Sequence, residues 1–162
     1  MFKILFVCMA NVCRSPMAQD IMRTQLQHKG LAQHFMLDSA GTHVRNEKRK
    51  PDPRALAVSA QHGYHGLDRL RSRTVQAADF ERFDHILAMD LGNLAKLQSL
   101  CPPEHSHKLR LLLDFADDVP EREIPDPYFG SLEGFERVLR LCEAGSRGLI
   151  EACMRTTFAY TP

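Results

Sequence analysis

Cys8, Arg14 and Ser15 stand in the segment VCMANVCRSP in the order Cys, five residues, Arg, Ser. These types at this spacing suit nucleophilic attack on phosphorus. An arginine presents a planar fork of N–H donors that matches two oxygens of a phosphate. A cysteine among such positive groups ionises below its free pKa of about 8.5 and becomes a nucleophile. A nearby serine hydroxyl can donate to the sulfur, steadying the thiolate and easing its later departure. Arg14 and backbone N–H groups supply the positive charge, so the scheme calls for no metal and no other cofactor.

Something must aim the sulfur at the anion. The run Ile4-Leu5-Phe6-Val7 reads as a buried strand that stops at Cys8, and Pro16 to His28 reads as a helix. Ser15 suits the N-cap of that helix and Pro16 its first position. A helix N-terminus carries unpaired N–H groups and partial positive charge. A tight loop feeding it turns more N–H groups inward, as a nest for an oxyanion. Met9, Ala10, Asn11, Val12 and Cys13 form that loop and are candidate phosphate contacts. A strand-end cysteine is more often merely small and buried. The arginine and the Ser-Pro helix start are what favour the catalytic reading here.

The alternation continues. Phe35 to Ser39 reads as a second strand, and PDPRALAVSAQHG as a helix with Pro53 in its first turn and Gly63 at its end. His85 to Ala88 is a third strand, and LGNLAKLQSL a helix stopped by Pro102 and Pro103. A fourth strand falls around Leu109 to Leu112. The last helix runs from Leu132 to Met154, with Gly145 and Gly148 as weak points. This order predicts an α/β fold, a parallel sheet covered on both faces with ligands at the carboxyl ends of its strands.

A chain of 162 residues holds one core, so residues 1–162 are expected to form a single domain. A net charge of +1 gives no overall field for nucleic acid, and no apolar run is long enough to span a membrane. Five cysteines without a secretory leader point to a reducing, cytoplasmic setting. Nothing in the pattern fixes the oligomeric state.

VCMANVCRSP resembles the signature of the low-molecular-weight protein tyrosine phosphatases. DSAGT (Asp38 to Thr42), PDPRA (Pro51 to Ala55), FDHILAMDLGNL (Phe83 to Leu94), RLLLDFA (Arg110 to Ala116) and DPYFG (Asp126 to Gly130) match that family in order. The resemblance implies a four-stranded parallel sheet with helices on both faces. It implies hydrolysis of phosphotyrosine in proteins, and of small aryl phosphates, through a phosphocysteine on Cys8. It makes Asp126 the general acid and base, where a local reading gives only a turn. Tyr128 would line the pocket, and Asn11 and Ser39 would brace the loop. The implied partner is a phosphotyrosine protein, such as a bacterial-type tyrosine kinase. Cys13 is open between a reversible disulfide with Cys8 and a small core residue under the loop.

Four positions depart from the family pattern. Ala10 replaces a usual glycine, and at positive φ its Cβ would cost about 1 kcal/mol or more. Arg45 stands where an aromatic, often Trp, walls the substrate slot. Leu70 replaces a supporting His, and Phe129 a second Tyr. The basic run RNEKRK (Arg45 to Lys50) reads as a solvated loop or, at a pocket rim, as a surface that steers acidic phosphopeptides. His62, His65, His105 and His107 lack the adjoining Cys or carboxylates of a metal site. Three other readings stay open. An arsenate reductase would need two more redox cysteines on one segment, where Cys101 stands alone. A protein-arginine phosphatase tends to carry Thr where this chain has Val12. An inactive phosphate-binding module is left open by Ala10 and Leu70.

Overall fold

The computed structural model describes residues 1–158. Strands β1 (Phe2–Cys8), β2 (Phe35–Gly41), β3 (His85–Ala88) and β4 (Leu109–Leu111) form one parallel sheet in the order β2-β1-β3-β4. Helices α1 (Arg14–His28), α2 (Pro53–Gln61) and α5 (Leu132–Phe158) share the apolar core on one face. The other face is covered by α3 (Ala77–Arg82) and α4 (Leu91–Leu100), through Phe80, Phe83 and Leu97. Side chains alternate across a strand. Ile4 and Phe6 therefore join the first core while Leu5 and Val7 join the second. Burial on both faces is why the β1 run is continuously apolar rather than alternating.

The chain leaves β1 to one side for β2 and returns across it for β3. A crevice opens at the carboxyl end of a strand where the order reverses in this way. That strand is β1, and its last residue is Cys8.

Local differences from the sequence reading have physical reasons. Ser15 is not the N-cap of α1: the helix starts at Arg14, Cys13 takes the cap position, and no side chain caps it. The Ser15 hydroxyl is instead drawn into a buried polar network beside Cys8. β4 ends at Leu111, and Leu112 opens a 3₁₀ turn (Leu112–Phe115) rather than continuing the strand. α3 has only six residues, too short for helical periodicity to reveal it.

Gly145 and Gly148 of α5 are points of close approach rather than weakness. A Cβ on Gly145 would lie 2.6 Å from Leu112 Cγ, and one on Gly148 would strike the carbonyl oxygen of Phe115. Helix propensity favours alanine over glycine by about 1 kcal/mol. Overpacking against rigid backbone should outweigh this, so Gly148→Ala is expected to destabilise the fold by about 2–3 kcal/mol. The urea midpoint measures it, and an unchanged or raised midpoint would contradict the packing described here.

Candidate active site

β1 ends on Cys8 and α1 starts at Arg14, so residues 9–13 must reverse the chain in a tight loop. The left-handed residue of that loop is Asn11, at φ 56°, and not Ala10. The Ala10 methyl therefore brings none of the expected strain. Asparagine tolerates this conformation because its side chain can bond locally. Asn11 Nδ2 donates to Ser15 Oγ (2.9 Å) and to Ser39 Oγ (3.0 Å), and Oδ1 accepts the Arg73 backbone N–H (2.9 Å). Ser39 passes its own proton to Gln19 Oε1 (2.7 Å).

The loop carbonyls are anchored outward. Those of Cys8, Met9 and Val12 accept the N–H groups of Thr42, His43 and Asp52 at 2.9, 2.8 and 2.8 Å. Gly41 permits this approach, since a Cβ there would lie 2.6 Å from the Met9 oxygen. The backbone N–H groups of residues 9–14 donate to no acceptor among the described residues. Amides left without protein partners beside a helix start are ready donors for an oxyanion.

Cys8 is 3% exposed, with Sγ 3.0 Å from Ser15 Oγ. Ser15 receives a hydrogen bond from Asn11, which leaves its own proton for the sulfur or for the Ala40 carbonyl at 3.3 Å. The sulfur is the nearer. Arg14 is buried beside it. Nη1 donates to Asp90 Oδ2 (2.6 Å) and to the Ile124 carbonyl (3.0 Å), and Nη2 lies 3.4 Å from Asp126 Oδ2. Burial opposes the Arg14 charge, but the Cys8 sulfur and the hydrogen-bonded Asp90 outweigh it, holding the guanidinium pKa above its ordinary value. Asp90 also caps α4, its Oδ1 accepting the Asn93 N–H at 2.7 Å. The helix N-terminus therefore fixes the carboxylate that fixes the arginine.

Cys8 and Arg14 face a cavity of about 320 Å³, with Val12, Asp126, Tyr128 and Arg45 also lining it. Asp126 Oδ1 accepts the Tyr128 N–H (3.1 Å), and the Asp126 side chain is 40% exposed. Arg54 straps this segment down by donating to the Tyr128 and Gly130 carbonyls at 2.9 and 3.3 Å. The same guanidinium pairs with Asp52 at 2.9 Å and lies over the rings of Tyr128 and Phe135. Since Asp52 N–H bonds the Val12 carbonyl, the strap ties the Asp126 segment to the loop around Cys8.

Met9, Ala10, Val12, Cys13, Arg45 and Tyr128, all expected from the sequence, line the cavity with Cys8, Arg14 and Asp126. Asn11, Ser15 and Ser39 do not line it; their side chains brace the loop from behind. Leu70 packs against the apolar core, and the Arg73 N–H supplies a support to Asn11. Cys8 and Cys13 are both free thiols. Burial, then the charge of Asp52, pushes the Cys13 thiol far above its ordinary range. Among the described residues no cluster of His, Cys, Asp or Glu is placed to hold a metal, and no helix is long and apolar enough to cross a membrane.

Asp90, Arg54 and Arg73 are the residues that sequence reasoning missed. Asp90 carried a signal: it follows a strand, at the edge where such sheets bind ligands. Arg73 holds Asp38 and Asp79, both at 2.8 Å, and no local pattern announces that.

A model of the low molecular weight phosphotyrosine protein phosphatase family matches residues 3–157. A low molecular weight protein-tyrosine-phosphatase of Streptomyces coelicolor is 42% identical over 154 residues, 93% of each chain. The low molecular weight phosphotyrosine protein phosphatase of Sus scrofa is 33% identical over 149 residues, 91% of this chain and 93% of its own. A protein tyrosine phosphatase of Entamoeba histolytica, solved with Hepes in its active site, superposes with a TM-score of 0.93 at 36% identity, covering 97% of this chain and 99% of that one. Matches of this extent include the loop built on Cys8, and the chain belongs to the low molecular weight phosphotyrosine protein phosphatase family.

Proposed function

We propose that this protein hydrolyses phosphotyrosine in proteins through a phosphocysteine on Cys8. The observation that carries the reading is the loop whose carbonyls are anchored outward while its amides donate to no protein acceptor, with a buried arginine beside the sulfur. Such a cradle binds a tetrahedral oxyanion and stabilises the charge that its equatorial oxygens gather during transfer.

In the first step the Cys8 thiolate attacks phosphorus, an S–P bond forms and the ester P–O bond breaks. Protonated Asp126 gives its proton to the departing phenolate oxygen. Asp126, now a carboxylate, next takes a proton from water as the water oxygen attacks phosphorus. The S–P bond breaks, phosphate leaves, and the electron pair returns to sulfur, where the Ser15 hydroxyl donates to it. Asp90 and the Ile124 carbonyl hold Nη1 of Arg14, so the fork meets phosphate without first being ordered. Tyr128 and Val12 offer walls for the substrate ring.

The proposed substrate is a phosphotyrosine-bearing protein of the cytoplasm, such as a bacterial-type tyrosine kinase. The free thiols Cys8, Cys13, Cys101 and Cys142 are in keeping with a reducing setting. Because Ala10 is unstrained, it gives no reason to read the cradle as inert.

The direct experiment is hydrolysis of a phosphotyrosine peptide in excess EDTA and reductant. Rapid acid quench and mass spectrometry should then find phosphate on the peptide containing Cys8. Folded, reduced protein that neither turns over nor forms the adduct would sink the proposal.

A further inference from the structure

Arg45 and Arg49 both line the mouth of the cavity, and both are exposed. Among the described residues neither guanidinium has a carboxylate partner, whereas neighbouring Lys50 pairs with Asp68 at 3.5 Å. The acid between them, Glu47, is turned away to accept the Thr74 N–H at 3.1 Å. Unpaired arginines on a floppy loop would say little. This loop is stapled at several points to buried Ser72.

Lys48, in the left-handed region at φ 62°, donates its N–H to the Ser72 carbonyl at 2.7 Å. Arg49 N–H donates to Ser72 Oγ at 3.0 Å, and Ser72 N–H to the Arg49 carbonyl at 3.0 Å. Ser72 Oγ closes the staple by donating to the Asn46 carbonyl at 3.1 Å. The backbone at Asn46, Lys48 and Arg49, next to Arg45, is thus held while both arginine side chains are free to meet a ligand.

The phosphate is met on the buried floor by Arg14 and the loop amides, which leaves the rim charges without a phosphate to hold. Asp126 is the one carboxylate among the lining residues, and it already lies 3.4 Å from Arg14. The mouth is therefore positive and its charges unspent. We infer that Arg45 and Arg49 form a subsite for acidic side chains flanking the phosphotyrosine, so that the protein prefers acidic phosphopeptides. This rests on the function proposed above. Charge complementarity at a mouth raises the encounter rate and rejects like-charged partners.

The test is the ratio of kcat/KM for two peptides that differ only in Glu against Gln beside the phosphotyrosine. Wild-type protein should favour the Glu peptide about tenfold at low ionic strength, with the ratio shrinking as salt screens the rim. In Arg45→Glu/Arg49→Glu the ratio should fall below one. Because each protein is compared with itself, a general loss of activity cancels. A wild-type ratio near one, or an equal ratio in both proteins, overturns the inference. The same peptides binding to Cys8→Ser give the ratio as affinities. Absence of hydrolysis in the wild type would therefore count against the function, while the affinity ratio still decides for or against the subsite.

Discussion

The Cys8→Ser protein is expected to lose turnover of p-nitrophenyl phosphate by a factor of at least about 10⁴, the scale seen when a covalent nucleophile is removed. A serine hydroxyl at this position keeps its proton at neutral pH, and no base is placed to take it: Ser15 and Arg14 beside it are donors. The cradle should survive the change. Asn11, Ser39, Arg73 and Asp90 hold it without using the Cys8 sulfur. Calorimetry should therefore show tungstate, a tetrahedral oxyanion, still binding to a protein that no longer turns over. Residual turnover of more than a few per cent would remove Cys8 from the role of nucleophile. Iodoacetate offers a second check. Cys13 and Cys142 are buried thiols held far above their ordinary pKa by that burial, so neither should react while folded.

Asp126→Ala should lower turnover by about 10²–10³-fold, the usual contribution of a positioned proton donor. Its signature is a dependence on the leaving group. p-Nitrophenolate departs readily without a proton, and phenolate does not. The burst of product release should therefore slow more for phenyl phosphate than for p-nitrophenyl phosphate. Equal slowing of both esters would assign Asp126 to holding Arg14, which its 3.4 Å approach allows, rather than to moving a proton. Asp90 is the other carboxylate on Arg14 and a poor substitute. Both its oxygens are engaged, one on Arg14 and one on the N–H of Asn93.

The elements that sequence revealed are those whose cause is local. β1 was visible because both its faces are buried, which leaves a continuous apolar run ending at Cys8. The start of α2 was visible because Pro53 sits where no N–H is needed, and Asp52 caps it by accepting from Arg54 N–H at 2.8 Å. Strand order was hidden, since nothing in the sequence of a parallel strand says which strand lies beside it. The left-handed residue was hidden as well. Ala10 drew attention because a glycine is usual there, yet the loop places its positive φ on Asn11, whose side chain bonds Ser39 and Arg73 far along the chain as well as nearby Ser15. Cys8, Arg14, Ser15 and Asp126 were legible through a spacing and a family pattern. Asp90, Arg54 and Arg73 were not, because each acts through partners brought near only by the fold.

The grip of Asp90 and the Ile124 carbonyl on Arg14 has a consequence for how the protein is made. Synthesis runs from the N-terminus, so the ribosome releases the cysteine and its arginine well before Asp90 and Ile124. The carboxylate and carbonyl that orient the arginine emerge later, and Asp126 follows them. During that interval the nascent polypeptide carries the thiol without the partners that hold its arginine in place. The arginine is oriented only once Asp90 and Ile124 dock against it, so a chain truncated before them contains the signature but not the assembled site.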